Sequence, residues 1–147
     1  MKIYVASSWR NTLQPAVVCQ LREAGHKVYD FRNPSDGDTG FSWSEIDPEW
    51  QRWTHDEFKK ALEHPVAVAG FRKDMDALED CDACVLVMPC GRSAHLEAGY
   101  AAGAGKPVFI LLDNGEPELM YGMAEVYGRL DEIVEQLGET AATKGTA

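Results

Sequence analysis

Two loops and two carboxylates carry most of the side chains that could do chemistry. Ser7-Ser8-Trp9-Arg10-Asn11 follows an apolar run at 3–6, and Pro89-Cys90-Gly91-Arg92-Ser93 follows another at 83–88. Each loop offers hydroxyls, an arginine and a helix start whose unpaired amides favour an anion. The same residues would also serve a pair of ordinary turns with capping serines. The carboxylates are Glu97 and Asp74. If Ser93 caps the helix, Glu97 lies one turn inside it, on Ser93's face. A capping box would need its Glu three residues after the cap, so Glu97 fits that structural role poorly. Its followers, Ala98-Gly99-Tyr100-Ala101-Ala102-Gly103-Ala104-Gly105, are nearly all small and supply no cation. A surface acid held by the helix dipole is the plainer reading.

Asp74 is picked out by periodicity. Over 71–81, Phe71, Met75 and Leu78 share one helical face, and Asp74 lies beside that stripe. Asp76 lies opposite, four residues from both Arg72 and Asp80, as a solvated acid would. An acid bordering an apolar face is costly without a partner or a task, so Asp74 is the functional candidate of the two.

These groups must be positioned by a scaffold that is legible in outline. Short β-branched or Leu-rich runs at 3–6, 83–88 and 108–112 read as strands buried on both faces. Weaker strands are expected at 26–31 and 125–127. Helices are expected at 15–24, ending on Gly25 as a C-terminal cap, and at 94–104 and 130–137. Strands alternating with helices predict a doubly wound, mostly parallel α/β sheet of about five strands, in which ligands bind beyond the strand carboxyl ends.

The stretch 33–65 breaks this rhythm. Residues 33–40 read as a loop, and Phe41, Trp43, Trp50 and Trp53 follow closely. Asp47-Pro48 looks like one helix start, and Thr54 with Glu57 like the capping box of another. We read 33–65 as a partly helical, Trp-rich insertion in a single domain spanning 1–138. Trp43, in the loop with no evident packing partner, is the aromatic suited to stack on a bound ligand, unless the aromatics form a structural cluster. The small, polar segment 139–147 reads as a frayed tail.

Composition narrows the setting. The 147 residues are 45% hydrophobic and 26% charged, ordinary for a globular protein, and no apolar run approaches the roughly 18 residues of a membrane span. The start, Met1-Lys2-Ile3-Tyr4-Val5-Ala6, enters a strand directly and lacks the pattern of a secretory signal, which predicts a cytoplasmic protein. A net charge of −10 argues against a nucleic-acid polymer as partner, while a small anionic ligand remains compatible. Cys81 and Cys84 have CxxC spacing without a second pair or a suitably spaced His, so all four cysteines read as reduced thiols and no metal is expected.

Three blocks resemble the nucleoside 2-deoxyribosyltransferase family and its deoxynucleotide N-hydrolase relatives. Tyr4-Val5-Ala6-Ser7-Ser8-Trp9-Arg10 is similar to the family's first strand and substrate-binding loop. Asp74-Met75-Asp76-Ala77-Leu78, then Cys81-Asp82-Ala83-Cys84-Val85-Leu86-Val87, resembles its acidic helix and following strand. Gly91-Arg92-Ser93-Ala94-His95-Leu96-Glu97-Ala98-Gly99-Tyr100-Ala101 and Gly105-Lys106-Pro107-Val108 resemble its nucleophile helix and fourth strand, and are the most specific of the three. The resemblance implies a flavodoxin-like fold, a homodimer or higher oligomer, a nucleoside or nucleotide substrate and no cofactor. It also implies a Glu97 nucleophile, an orienting Asp74, and contacts from Ser8 and Arg10 to the sugar or phosphate. The implied reaction is retaining cleavage of an N-glycosidic bond through a glycosyl-enzyme, resolved by water or a second base. Two positions depart from the pattern. Gly91 replaces an acidic or hydroxyl residue, for which Ser93 could compensate, and Leu119-Met120-Tyr121 lacks a serine that phosphate-binding relatives lend to a neighbouring subunit. A catalytically silent nucleotide-binding module, a nicotinamide-dinucleotide glycohydrolase and, more remotely, a flavoprotein are the competing readings.

Overall fold

A computed structural model describes residues 1–113 and 115–145. The chain divides into two compact units, one of Met1–Asp30 with Leu78–Ala147 and the other of Phe31–Ala77.

The first unit is built on five parallel strands, β1 (Lys2–Ala6), β2 (Lys27–Asp30), β3 (Ala83–Val87), β4 (Val108–Leu111) and β5 (Glu125–Tyr127), in the order β2-β1-β3-β4-β5. Every residue of β3 and β4 is buried, as is all of β1 beyond Lys2, which accounts for the nearly unbroken apolar runs. Alternate residues face opposite ways. Ile3, Val5, Val85, Val87, Phe109 and Leu111 form one core with Val17 and Leu21 of α1 (Gln14–Glu23) and Ile133 and Leu137 of α5 (Leu130–Lys144). The other face takes α4 (Arg92–Gly103), whose buried residues are Ala94, Ala98 and Ala101, so this helix can lie close to β1, β3 and β4. Gly25 ends α1 with a φ of 87°, the left-handed C-terminal position expected of it. No helix among the described residues is long and apolar enough to cross a membrane.

One side chain joins three of these elements at the carboxyl end of the sheet. Asn11 is buried, and its Nδ2 donates to the carbonyls of Val87 (3.3 Å) and Pro89 (3.0 Å) beyond β3. Its Oδ1 accepts from the amides of Leu13 (2.8 Å) and Gln14 (2.9 Å), which start α1. Ser7 adds a parallel tie, its hydroxyl donating to the Val87 carbonyl at 2.9 Å.

The last helix corrects an expectation. α5 continues through the segment read as a frayed tail and stops at Lys144. Ala141 and Ala142 favour helix, the Thr140 and Thr143 hydroxyls bond carbonyls four residues back, and Lys144 pairs with Asp82. Thr146 and Ala147 lie outside the described residues.

The second unit holds the Trp-rich segment. α2 (His55–Leu62) starts at the expected capping box, with Thr54 and Glu57 bonding reciprocally. Asp47-Pro48 does not open an α-helix. One 3-10 turn, Trp50–Arg52, follows, and the Asp47 carboxylate is shared between the Glu49 amide and the Trp53 indole N–H. Trp43 likewise opens a 3-10 turn, and it has the packing partners that the sequence did not suggest. Its ring meets Phe41, Trp53 and Phe58 edge-on at centroid distances of 4.7, 5.6 and 5.8 Å. Gly70 leaves room for this cluster, because a β-carbon there would come within 3.1 Å of Phe41. Most of α3 (Pro65–Asp80), up to Ala77, completes the unit, and Lys73 on it pairs with Asp38.

Two outcomes follow from these contacts. Asn11→Ala should cost about 2–3 kcal/mol, since it removes a buried four-bond bridge and leaves the first amides of α1 without their acceptor. Urea unfolding measures this, and a loss below about 1 kcal/mol would contradict the bridging role. Trp43→Leu should cost about 2 kcal/mol and lower Tm by roughly 5–8 °C. An unchanged melting curve would remove Trp43 from the packing of its unit.

Candidate active site

A parallel sheet ordered 2-1-3-4-5 has its switch point between β1 and β3, and the crevice beyond their carboxyl ends is where such folds bind ligands. Both loops singled out above open there. In the first, Ser7 is half-buried and committed to Val87, while the Ser8 hydroxyl accepts from the Arg10 amide at 3.2 Å and the Ser8 carbonyl from the Asn11 amide. This tight turn leaves Trp9 52% exposed and projects Arg10 outward, with no salt bridge among the described residues. An indole and a guanidinium are thus displayed at the rim by a turn that β3 anchors.

In the second loop the helix cap is Gly91, not Ser93, which is the second helical residue and exposed. The loop enters the helix in extended geometry at Gly91, two residues earlier than spacing suggested. Glu97 therefore falls on the sixth helical residue, well past the capping-box position, now held by Ala94. It remains half-buried beside the alanine stripe. Its charge is felt toward the sheet. Burial raises the Cys84 thiol well above the ordinary range, and Cys81 and Glu97 add to that. Burial and then Glu97 push Cys90 up to about 11. Glu97 thus sits within electrostatic reach of the Cys84 and Cys90 thiols.

His95, Tyr121, Met88 and Cys90 form a feature that sequence reasoning missed. The His95 Nδ1 lies 2.9 Å from the Gly91 carbonyl and so donates to it, and Nε2 accepts from the Tyr121 hydroxyl at 3.0 Å, the two rings stacking at 5.9 Å. The Cys90 thiol donates to Met88 Sδ at 3.4 Å and lies 3.6 Å from His95 Nδ1. Tyr121 comes from a distant turn, Leu119–Met123, so no local spacing announced the pairing. Asn11 was the other omission. An Asn three residues before the start of a Pro-containing helix was its available signal.

Asp74 and Trp43 belong to the second unit. Asp74 is half-buried on α3, whereas Asp76 is exposed and pairs with Arg72 at 2.9 Å, the division that periodicity predicted. The apolar stripe is shorter than expected. Leu78 is buried, but Phe71 is 66% exposed, being nearly two turns toward the helix start. Among the described residues, no three His, Cys, Asp or Glu side chains converge on a metal. Cys81 and Cys84 are free, buried thiols.

No protein-family model matches the chain, nor does any curated protein. Solved structures do. The CMP N-glycosidase BcmB of Clostridium botulinum superposes with a TM-score of 0.51 at 16% identity, over 94% of this chain and 99% of that one. The 2-deoxyribosyltransferase of the psychrotolerant bacterium Bacillus psychrosaccharolyticus does so with a TM-score of 0.54 at 20% identity, over 91% of this chain and 90% of that one. With its five parallel strands in this order, the chain has the nucleoside deoxyribosyltransferase fold.

Proposed function

We propose that the protein cleaves the N-glycosidic bond of a nucleoside or nucleotide, by hydrolysis or by transfer to a second base, with Glu97 as nucleophile. The observation that carries this reading is the setting of Glu97: half-buried at the switch point, close to the buried Cys84 and half-buried Cys90 thiols, on a helix of small residues. The fold is shared with an N-glycosidase and a deoxyribosyltransferase. In the proposed reaction a Glu97 oxygen attacks the anomeric carbon opposite the base. The C–N bond breaks, its electron pair leaves with the base, and a glycosyl ester remains on Glu97. Water or an acceptor base then attacks the same carbon from the vacated face, freeing the carboxylate and retaining configuration. We assign Asp74 to orienting the nucleophile, and Ser8 and Arg10 to the sugar or a 5′-phosphate. Ser7, Trp9, Gly91 and Ser93 border the substrate. We place Trp43 in packing rather than base stacking, because three aromatic rings already hold it.

A nucleotide-binding module without turnover is the second reading, and Gly91 favours it by contributing no acid or hydroxyl at the mouth. A β-carbon at Gly91 would meet no atom within 4 Å, so the space exists and only the group is absent.

Incubating the protein with a nucleoside and nucleotide panel, with and without an acceptor base, should release free base detectable by chromatography. Nicotinamide release would instead identify a dinucleotide glycohydrolase. Glu97→Gln should lower turnover on the order of 10³-fold or more while leaving the circular dichroism spectrum unchanged. Asp74→Asn should cost far more activity than Asp76→Asn, and equal losses would sink the assignment of Asp74. Arg10→Ala should weaken a 5′-phosphorylated substrate by about 1.5–3 kcal/mol and its nucleoside much less. Equal loss on both substrates would reject a phosphate contact.

A further inference from the structure

The sulfur and imidazole donors beside the α4 start have a geometry that packing alone does not require. Met88 Sδ and Cys90 Sγ are 3.4 Å apart, and Cys90 Sγ and His95 Nδ1 are 3.6 Å apart. Metal–sulfur bonds of about 2.3 Å and a metal–nitrogen bond of about 2.0 Å would set the pairs of a trigonal site roughly 4.0 and 3.7 Å apart. The two sulfurs would therefore move apart by about 0.6 Å and the Cys90–His95 pair by about 0.1 Å. All three side chains are half-buried, and Cys90 and His95 open onto a shallow cleft with Gly91, Arg92 and Leu96. We propose that Met88, Cys90 and His95 form a binding site for a soft monovalent cation, copper(I).

The donor set selects the ion. Thioether, thiolate and imidazole together suit copper(I), whereas magnesium and calcium demand oxygen, and zinc binds thioether poorly. Binding is balanced by proton release: the cysteine S–H proton passes to solvent as the sulfur–copper bond forms. The imidazole must also change tautomer. His95 Nδ1 gives up its bond to the Gly91 carbonyl, the proton moves to Nε2, and Nε2–H donates to the Tyr121 hydroxyl 3.0 Å away. Tyr121 then plays the outer partner that fixes a ligating imidazole. Its hydroxyl, 3.8 Å from Met88 Sδ, spans the ring of donors.

Chelator competition tests this on the whole chain. Cys19 is an exposed thiol on α1, so Cys19→Ser serves as the background. Copper(I), kept reduced without oxygen, is titrated against a colorimetric copper(I) chelator, with zinc(II) in parallel. The background protein should take one equivalent of copper(I) and hold zinc(II) at least tenfold more weakly. Adding Cys90→Ser, Met88→Leu or His95→Gln should each reduce copper(I) affinity tenfold or more. Nitrogen-15 spectra of the His95 ring should show Nδ1–H without copper and Nε2–H with it. If Cys90→Ser impairs folding, Met88→Leu carries the comparison. No uptake by the background protein, equal uptake after Cys90→Ser or Met88→Leu, or an unchanged His95 tautomer would overturn the site and leave a thiol–thioether packing contact.

Discussion

The four hydrogen bonds of the Asn11 amide are the constraint on which the carboxyl end of the sheet depends. A side-chain amide has two donors and an acceptor oxygen, and here both ends are in use. The donors hold the backbone that leaves β3, and the acceptor holds the first amides of α1. Because β1 and β3 are neighbours in space but some eighty residues apart in sequence, nothing local could fix the spacing of their two loops. Asn11 fixes it from inside, with Ser7 supporting it, and so determines how far the Trp9–Arg10 turn stands from the start of α4. The interior cannot tolerate these groups unpaired, so the loops are held by the same energetics that hold the core.

The alanines of α4 complete this arrangement. Ala94, Ala98 and Ala101 are buried against the strands, which brings the helix axis close to β1 and β3. A larger residue at these positions would lift the helix and carry Glu97 away from the sheet. Glu97 is thus kept near the sheet by the small size of its neighbours. From there its charge acts on the thiols of Cys84 and Cys90. Local unfolding of α4 would cost little propensity and much packing, so this helix owes its stability to the sheet beneath it.

What could be read from the sequence divides along the range of the interactions involved. Strand positions were legible because burial on both faces forces continuous apolar runs, as in Ala83–Val87 and Val108–Leu111. Gly25 and the Thr54–Glu57 box were legible because caps are local chemistry. The strand order required long-range pairing and could only be expected from the alternation of elements. Ser93 was misplaced as a cap because hydroxyl preference outweighed Gly91, whose backbone enters the helix with no side-chain bond. Phe71 lies on the apolar face yet is exposed, because periodicity identifies a face without showing how far along it cover extends. The Tyr121–His95 and Trp43 contacts depend on rings brought together by folding, and composition alone does not encode them.

Lys106, just before β4, closes the corner between α3 and β3. Its ammonium lies 2.6, 2.7 and 2.8 Å from the carbonyl oxygens of Leu78, Glu79 and Cys81, so all three N–H bonds are spent on the end of one helix. A reagent that acylates amines needs the nitrogen's lone pair, and here it must first break a tripod of charge-assisted bonds. In the folded protein this lysine should therefore be nearly silent to such labels, while exposed lysines such as Lys27 and Lys59 react. Covalent labelling at position 106 thus becomes a reporter: it marks the moment at which the α3–β3 corner opens, residue by residue, without a probe attached anywhere else.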